Sequence, residues 1–342
     1  MNEKVFCGSL ARISDLETKP FDCEPVRRNL WQRGDYVLGE VTIARGGFAE
    51  IELCSGRLAR PVNGDVVLGA LGVRHATLEV VGSFEEVGKD GKMDLLGAAG
   101  LLGRATSISG LLPPLIRVDY RGHAMREGKT LNMRHFAKPP ATQSDNHVPT
   151  ILIIGTSMSA GKTTSAKIII RELKRRGYRV AGAKLTGAGR YRDILAMRDA
   201  GADAVYDFVD VGLPSSVLTA EEYRERLRDL LGSIADTKPD VLVAEAGASP
   251  LEPYNGDTAL EELGDTVVFT VLCASDPYAV VGVMHGFEMN PDLVAGLATS
   301  TIAGEELVRK LSGAKTLNLL DPNSIAELRR MLESALPGVG DL

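Results

Sequence analysis

Cysteine is scarce in this sequence, and its positions exclude two common classes of protein. Four cysteines occur among 342 residues, at positions 7, 23, 54 and 273. They lack the short spacings of structural zinc sites, and they are too few and too scattered for the disulfide framework of a small secreted protein. The pattern is typical of reduced thiols in a cytoplasmic protein.

Long apolar runs are also missing. No apolar segment approaches the roughly 20 residues that a membrane-spanning helix needs. The N-terminal stretch MNEKVFCGSLARISDLETKP contains no apolar core of the kind that signal peptides have. The net charge of −6 at pH 7 argues against a general affinity for nucleic acid, although it leaves room for a local basic patch. We therefore expect a cytoplasmic protein that binds neither membranes nor nucleic acid.

Side chains for covalent catalysis are not arranged in any familiar pattern. The histidines stand at positions 75, 123, 135, 147 and 285, with no spacing that suits a metal site or a nucleophile pair. No cysteine has neighbours in the sequence that would activate its thiol. We expect structural or surface roles for the histidines and no covalent protein intermediate.

The residues that are present change in character near residue 140. Residues 1–138 contain short β-prone runs broken by glycine, such as YVLGEVTIA, GDVVLGALG and ATLEVVGSF, which predict a small barrel or sandwich. Residues 139–148 have the proline and polar content of a linker. In residues 149–342 apolar strand-like segments alternate with helical ones, which predicts an α/β domain with a doubly wound, mostly parallel sheet.

The elements of this second domain can be placed approximately from hydrophobic patterning. The candidate strands are 150–154, 179–184, 240–246, 266–273 and 314–320, with a further one near 204–210. The candidate helices are about 162–176, 191–200, 220–235, 301–311 and 323–335.

The first strand of this domain leads into a loop rich in glycine, serine and threonine and then into a basic helix, ILIIGTSMSAGKTTSAKIIIRELKRRG. A standard phosphate loop reads G-x-x-x-x-G-K-[ST] between a buried strand and a helix. Here five residues rather than four separate Gly155 from Gly161, and Thr156 stands where the first glycine is usual. The essential sequence Gly161-Lys162-Thr163 is intact.

The missing glycine does not exclude phosphate binding. The phosphate cavity is built from successive backbone N–H groups and the positive N-terminus of a helix. Lys162 would reach the β- and γ-phosphates, and the Thr163 hydroxyl would bind Mg²⁺. The alternative is a loop that only caps the helix. The predicted nucleotide-binding residues of the loop are Gly155, Thr156, Ser157, Met158, Ser159, Ala160, Gly161, Lys162, Thr163 and Thr164.

The stretch GTSMSAGKTT is similar to the loop of dethiobiotin synthetase and its relatives, which include the cobyrinate amide-forming enzymes and the wider deviant P-loop class. In those enzymes a glycine also stands six residues before the final glycine. Many members of the class carry an early lysine that reaches a dimer partner, and dethiobiotin synthetases have an acidic residue there that helps to hold Mg²⁺. Ser157 occupies the matching position, so the sequence departs from both patterns.

The resemblance extends to two charged residues at strand ends. In RVAGAKLTGAG, Lys184 matches the place where these enzymes use a lysine near the transferred phosphate; a solvated lysine is the alternative. PDVLVAEAGASPLEPYNGD resembles the VEGAGG stretch of dethiobiotin synthetases. Its apolar strand ends in Glu245, whose carboxylate suits a hard Mg²⁺ ion beside the loop. The alternative is a structural carboxylate.

A third stretch, TLNLLDP, places Asn318 and Asp321 at the end of the last predicted strand. A strand-end asparagine often reads the nucleotide base in this class, and the N-x-x-D spacing is also similar to the guanine-reading motif of GTPases without its lysine. A plain Asn-Asp-Pro turn is the alternative. The family resemblance favours ATP, whereas these residues alone do not distinguish ATP from GTP.

The second domain also resembles a P-loop family that includes proposed D-glutamate N-acetyltransferases. The resemblance rests on the phosphate loop and on GASPLEPYNG after the acidic strand, and it covers about residues 148–335. It implies that the loop could instead bind the diphosphate of coenzyme A. The N-terminal part carries no motif that identifies its role.

Ligands of doubly wound sheets collect at the carboxyl ends of the strands. Arg190 and Arg192 follow one such strand and would hold a carboxylate or phosphate bidentately, unless they are simply solvated. Tyr254 and Asn255 are further candidate substrate contacts. Asp193 and Asp276 are left open as bases, metal ligands or helix caps.

Three functions are compatible with these features. The first is an ATP- and Mg²⁺-dependent kinase or carboxylate-activating ligase that acts on a small acidic metabolite, with Lys162, Lys184 and Glu245 as the catalytic residues. The second is an N-acyltransferase that binds coenzyme A, and the third is a nucleotide-dependent switch or chaperone. Because relatives commonly dimerise across the nucleotide domain, a homodimer is a further expectation.

Overall fold

The computed structural model describes residues 4–43, 50–139, 147–157, 159–247 and 249–336. Most of the predicted linker, residues 140–146, lies outside the described residues, as does Met158 of the phosphate loop. No helix in these described ranges has both the length and the apolar content required to cross a membrane.

The chain divides into two compact units. The first comprises Met1–Pro139, Ala188–Arg192 and Phe208–Val217, and the second comprises Pro140–Gly187, Asp193–Asp207 and Leu218–Leu342. Two segments from within the predicted α/β domain are therefore grouped with the N-terminal unit.

The first unit is built from short strands. They are β1 (Val5–Cys7), β2 (Asp22–Glu24), β3 (Tyr36–Ile43), β4 (Ile51–Glu52), β5 (Leu58–Ala59), β6 (Val66–Leu71), β7 (Val73–His75), β8 (Val80–Ser83), β9 (Lys92–Gly97), β10 (Leu101–Ile108), β11 (Ile116–Arg126) and β12 (Lys129–Thr130).

Five of these strands close on themselves. The pairing runs β6-β3-β11-β9-β10, and β10 pairs again with β6, in parallel, while the other pairs are antiparallel. Closure removes the unpaired edges that an open sheet of this size would present. The interior is filled by apolar side chains that include Val37, Leu71, Met93, Leu102 and Val118. The predicted β-rich barrel or sandwich is thus a small barrel.

The second unit alternates strands with helices. Its strands are β13 (Thr150–Gly155), β14 (Val180–Thr186), β15 (Ala204–Asp207), β16 (Val241–Ala246), β17 (Val267–Ala274) and β18 (Leu293–Gly296). The α-helices are α1 (Lys162–Arg175), α2 (Tyr191–Asp199, whose first two residues belong to the first unit), α3 (Ala220–Ala235), α4 (Gly256–Leu263), α5 (Pro277–Gly286), α6 (Ile302–Ser312) and α7 (Ile325–Ala335).

The six strands form one sheet in the order β15-β14-β16-β13-β17-β18, and every pair is parallel. Strand β13, TILIIG, is buried along its whole length, as expected for a β-branched run in a sheet covered by helices on both faces. It lies at the centre of the sheet between β16 and β17. The predicted fold class, a doubly wound α/β domain preceded by a smaller β-rich domain, is confirmed.

One predicted strand is wrong. Residues 314–320 do not form a strand; Thr316 makes an isolated parallel bridge to Val294, and the chain then turns at Asn318 and Asp321. The sixth strand is β18 instead, four residues in LVAG that the sequence pattern did not single out because the run is so short. Helices α4 and α5 also escaped the sequence prediction.

Candidate functional site

The phosphate loop begins where central strand β13 ends, and its lysine folds back over its first glycine. Lys162 is only 2% exposed, and its Nζ donates a hydrogen bond to the carbonyl oxygen of Ser157 (2.6 Å). A Cβ on Gly155 would lie 2.7 Å from Lys162 Nζ. The glycine at this shifted position therefore makes room for the lysine side chain, which explains why the loop needs a glycine here.

The second glycine starts the helix. Gly161 has φ +102°, a left-handed conformation that favours glycine, and α1 follows directly with Lys162 as its first residue. Two hydrogen bonds hold the loop against the end of β17, the neighbouring strand in the sheet. Thr156 N–H donates to the Cys273 carbonyl oxygen (3.1 Å), and Ser275 N–H donates to Thr156 Oγ1 (3.1 Å). The loop thus presents a helix N-terminus at the carboxyl end of the sheet, which is the arrangement that binds phosphates.

A hydroxyl and a carboxylate meet beside this loop. Thr163 Oγ1 donates a hydrogen bond to Glu245 Oε2 (3.2 Å). Glu245 lies in β16 directly opposite Ile153 of β13, and it is 3% exposed. The parallel register therefore brings the carboxylate to the start of α1.

The second lysine lies on the other side of the same carboxylate. Lys184 of β14 is the register partner of Glu245, and its Nζ forms an ion pair with Asp193 Oδ2 at 2.5 Å. Lys184 is buried, and Asp193 belongs to the first turn of α2. Four residues therefore form one charged cluster, which we call the lysine–carboxylate cluster: Lys162, Lys184 and Glu245, which are buried, and Asp193, which is half-buried.

Burial and mutual attraction set the proton affinities in this cluster. Burial lowers the pKa of Lys162, and the nearby Glu245 offsets part of this effect. Burial raises the pKa of Glu245, whereas Lys184 acts in the opposite direction. For Lys184, burial is the largest influence and lowers the pKa, but the attraction of the surrounding carboxylates outweighs it, so the net pKa is raised. Lys184 therefore stays protonated inside the site.

The cysteine nearest to the loop is not an activated nucleophile. Burial raises the pKa of Cys273 to about 11, and its Sγ donates to Ser165 Oγ (3.3 Å). The thiol is thus protonated at neutral pH and makes a structural contact at the base of α1.

The residues at this site suit a phosphate chain and one hard cation. Among the described residues, no group of three or more His, Cys, Asp or Glu side chains could hold a metal ion by itself. A magnesium ion that binds together with phosphates needs fewer protein ligands, because phosphate oxygens and water complete its octahedral shell. Thr163 and Glu245 would supply the protein oxygens, and Lys162 would exchange the Ser157 carbonyl for a phosphate oxygen.

Sequence reasoning missed a glycine that supports the loop from β18, two strands away from β13 in the sheet. Gly296, at the end of β18, has φ +88°, and a Cβ there would lie 2.2 Å from the carbonyl oxygen of Ala160. The next residue, Leu297, donates its N–H to the same oxygen (3.4 Å). No motif marks Gly296 in the sequence, since its role depends entirely on the contact between β18 and the phosphate loop.

We expect Gly296→Ala to weaken phosphate binding as well as stability, because the new methyl group would push the loop backbone away from β18. Gly313→Ala is the matched control: Gly313 has φ +69° with nothing within 4 Å of an added Cβ. Alanine at Gly313 carries left-handed strain of about 1–2 kcal/mol. Alanine at Gly296, whose φ of +88° and ψ of −152° are essentially restricted to glycine, carries strain of about 1–3 kcal/mol and adds overpacking of about 1–3 kcal/mol. Thermal unfolding and nucleotide titration of both variants check this. Equal stability losses and equal affinities would contradict the assigned contact.

Asn318 lies in a turn rather than at the end of a strand. Its side-chain Oδ1 accepts the N–H of Leu320 (3.1 Å), and its carbonyl oxygen accepts the N–H of Asp321 (3.0 Å). The bridge between Val294 and Thr316 ties the segment that leads into this turn to β18, which supports the phosphate loop. The predicted contact of Asn318 with a nucleotide base remains untested.

The predicted substrate contacts have different environments. Arg190 and Arg192 are exposed and belong to the first unit, in which Glu52 accepts the N–H groups of Tyr191 and Arg192 (2.8 and 3.0 Å). Tyr254 is 0% exposed. The substrate role of the two arginines stays a prediction, whereas a direct substrate contact for Tyr254 would require its loop to rearrange.

Two further candidate residues, Asn255 and Asp276, make hydrogen bonds to the backbone. Asn255 is buried and has φ +59°, and its Nδ2 donates to the Leu218 carbonyl oxygen (3.0 Å), so its side chain ties the turn before α4 to the segment before α3. Asp276 caps α5 by accepting the N–H groups of Tyr278 and Ala279 (3.0 Å each). Of the alternatives left open for Asp276, the structure thus supports the helix cap.

Searches of known proteins place this chain among distant structural neighbours. No family model matches the sequence, and no curated protein matches it. Matching solved structures include hydrogenase maturation factor HypB from Archaeoglobus fulgidus, with 17% identity over 56% of this chain and 92% of that chain (TM-score 0.40).

Two further matches are similarly remote. The signal recognition particle 54 kDa protein from Aeropyrum pernix, in complex with GDP, is 20% identical over 60% of this chain and 48% of that chain (TM-score 0.34). A ParA family ATPase from Chlorobium tepidum is 15% identical over 55% of this chain and 91% of that chain (TM-score 0.31). These values assign the chain to no family, and its description as a P-loop α/β protein rests on its own strand order, loop and lysine–carboxylate cluster.

Proposed function

We propose that the second unit binds a nucleoside triphosphate with Mg²⁺ and transfers its terminal phosphoryl group to a small acidic molecule, as a kinase or as a carboxylate-activating ligase. The observation that carries this proposal is the position of Lys162, which is packed over Gly155 at the N-terminus of α1, next to the hydrogen bond between Thr163 and Glu245.

Each residue of the site has a role that follows from its position. The N–H groups of the loop and the first turn of α1 would bind phosphate oxygens. Lys162 would balance charge on the terminal phosphates, and Thr163 and Glu245 would hold the metal. A bound Mg²⁺ ion would neutralise negative charge on the phosphate oxygens. Positioning and charge neutralisation are the principal requirements of phosphoryl transfer.

The position of Lys184 favours phosphoryl transfer to an acceptor over nucleotide binding without transfer. It is a second buried lysine, paired with Asp193 and held on β14 at the same end of the sheet. A cation at this place would attract an anionic acceptor and balance the charge that builds up on the transferring group. The protonated Cys273 fits a direct transfer that needs no covalent protein intermediate.

Ligand-induced thermal stabilisation discriminates between the candidate functions. A ligand present at about 100 times its Kd stabilises a protein by about 2.7 kcal/mol, which raises Tm by about 5–10 °C for a unit of this size. We expect ATP or GTP to produce this rise only with Mg²⁺ present, and coenzyme A to produce little.

The results of this assay assign the function as follows. A rise with coenzyme A that does not depend on Mg²⁺ would favour the acyltransferase alternative. A Mg²⁺-dependent rise with nucleotide, followed by phosphate release without any phosphorylated or ligated acid product, would favour the switch or chaperone. No rise with either class of ligand would reject phosphate binding by the loop.

A further inference from the structure

Three carboxylates attract Lys184: Asp193 and Glu245 of the lysine–carboxylate cluster, and the buried Asp207, which is its register partner on β15. Asp193 Oδ2 holds the ammonium group at 2.5 Å. Glu245 is the register partner of Lys184 on the adjacent strand and also attracts it electrostatically. In the structure Glu245 instead accepts the hydroxyl of Thr163. Asp193 thus pairs with the Lys184 ammonium group, which would otherwise be close to the Glu245 carboxylate.

The path of the lysine side chain is shaped by two glycines. A Cβ on Gly247 would lie 2.8 Å from Lys184 Cε and 2.2 Å from the carbonyl oxygen of Thr186, and a Cβ on Gly187 would lie 3.4 Å from Lys184 Cε. Any larger residue at position 247 would displace the lysine. The two glycines therefore leave the space that the Lys184 side chain occupies where it reaches Asp193.

We propose that Asp193 is a positioning residue of the phosphate site: by pairing with Lys184, it leaves the Glu245 carboxylate to Thr163 and to the magnesium ion. The inference rests on the proposed function, because it presupposes that Glu245 and Thr163 hold the metal. Without Asp193, the ammonium group would turn to Glu245, which attracts it more strongly than Asp207 does, and would occupy the oxygen that the metal needs. Mutation of a residue that supports a metal ligand typically lowers metal affinity or activity by about 10–100-fold.

The variant Asp193→Asn tests this role through binding rather than turnover. The probes are the non-hydrolysable triphosphates AMP-PNP and GMP-PNP, titrated with Mg²⁺ and separately with EDTA. We expect the strengthening of nucleotide binding by Mg²⁺ to fall about tenfold in Asp193→Asn, with the affinity in EDTA unchanged. Asp193→Glu, which keeps the charge, is expected to restore most of the Mg²⁺ effect.

A second pair of variants tests whether Asp193 influences the Mg²⁺ dependence of nucleotide binding through Lys184. In a Lys184→Met background the lysine can no longer move to Glu245, so Asp193→Asn should cause no further loss of the Mg²⁺ effect. Such non-additivity is the expected sign of two residues that act through each other. An equal loss in both backgrounds would overturn the inference.

The control for loss of an ion pair is Asp203→Asn, which removes the pair between Asp203 and Lys174 (2.7 Å) in the same unit. It is expected to lower Tm while leaving the Mg²⁺ effect unchanged. If Asp193→Asn weakens binding equally in Mg²⁺ and in EDTA, or retains the full Mg²⁺ effect, Asp193 is merely structural and the inference is wrong. If the unmodified protein shows no Mg²⁺ effect at all, the proposed function is rejected and the inference with it.

Discussion

Lys162→Ala is expected to abolish nucleotide binding without weakening the fold. The lysine would make charge-assisted hydrogen bonds to two phosphates, each worth about 1.5–3 kcal/mol, so its removal should reduce nucleotide affinity by about 100-fold or more. Burial lowers the pKa of Lys162, which means that folding disfavours its charged form. Removing that buried charge should therefore leave Tm unchanged or raise it.

Lys174→Ala is the matched control for this prediction. Lys174 lies in the same helix and pairs with Asp203, and it also donates to the carbonyl oxygen of Tyr178 (3.0 Å). Its replacement should lower Tm slightly and leave nucleotide affinity intact. Isothermal titration with nucleotide and thermal unfolding separate the two outcomes. Retention of tight Mg²⁺-nucleotide binding by Lys162→Ala would refute the assignment of the phosphate loop.

The second large effect is expected from Glu245→Gln. Glutamine keeps the size of the side chain and can still accept the Thr163 hydroxyl, but it lacks the negative charge that a magnesium ion requires. Metal ions contribute several kcal/mol of charge stabilisation in the transition state, so turnover should fall by about 100-fold or more. Nucleotide affinity should become almost independent of Mg²⁺.

The control here is Glu172→Gln. Glu172 is a buried carboxylate of α1 that pairs with Arg175 and Arg329 (2.7 and 2.6 Å), and none of these three residues belongs to the phosphate loop. Its replacement should reduce stability while turnover and Mg²⁺ dependence persist. Assays of phosphate release over a range of Mg²⁺ concentrations, together with Tm, distinguish the variants. Should Glu245→Gln retain the Mg²⁺ dependence of the unmodified protein, another residue must hold the metal.

The two predictions together describe a site whose buried charges lower the stability of the fold but serve ligand binding. Lys162 and Glu245 both have pKa values that burial shifts towards their neutral forms. Groups whose pKa values are shifted by burial cluster at functional sites, where the charge interacts with a ligand. The opposite charges of the two groups partly offset each other, and under the proposed function Lys162 would pair with a phosphate and Glu245 with a cation.

Features that are contiguous in the chain are readable from the sequence. Strand β13, the loop and α1 form one uninterrupted stretch, so the apolar run, Gly155, Gly161 and the following Lys162 are enough to predict the phosphate loop. Long apolar runs likewise predict β14, β16 and β17 to within a few residues. Short or irregular elements are missed, because the four residues of β18 and the glycine-interrupted helix α5 have no clear period.

By itself, the sequence determined the fold class and predicted a phosphate loop with its lysine and threonine, because these depend on residues adjacent in the chain. Only the tertiary structure decided that Asp193 pairs with Lys184, that Gly296 supports the loop and that Tyr254 is buried. Each of these facts depends on register and contact between segments far apart in the chain. No local pattern encodes such distances.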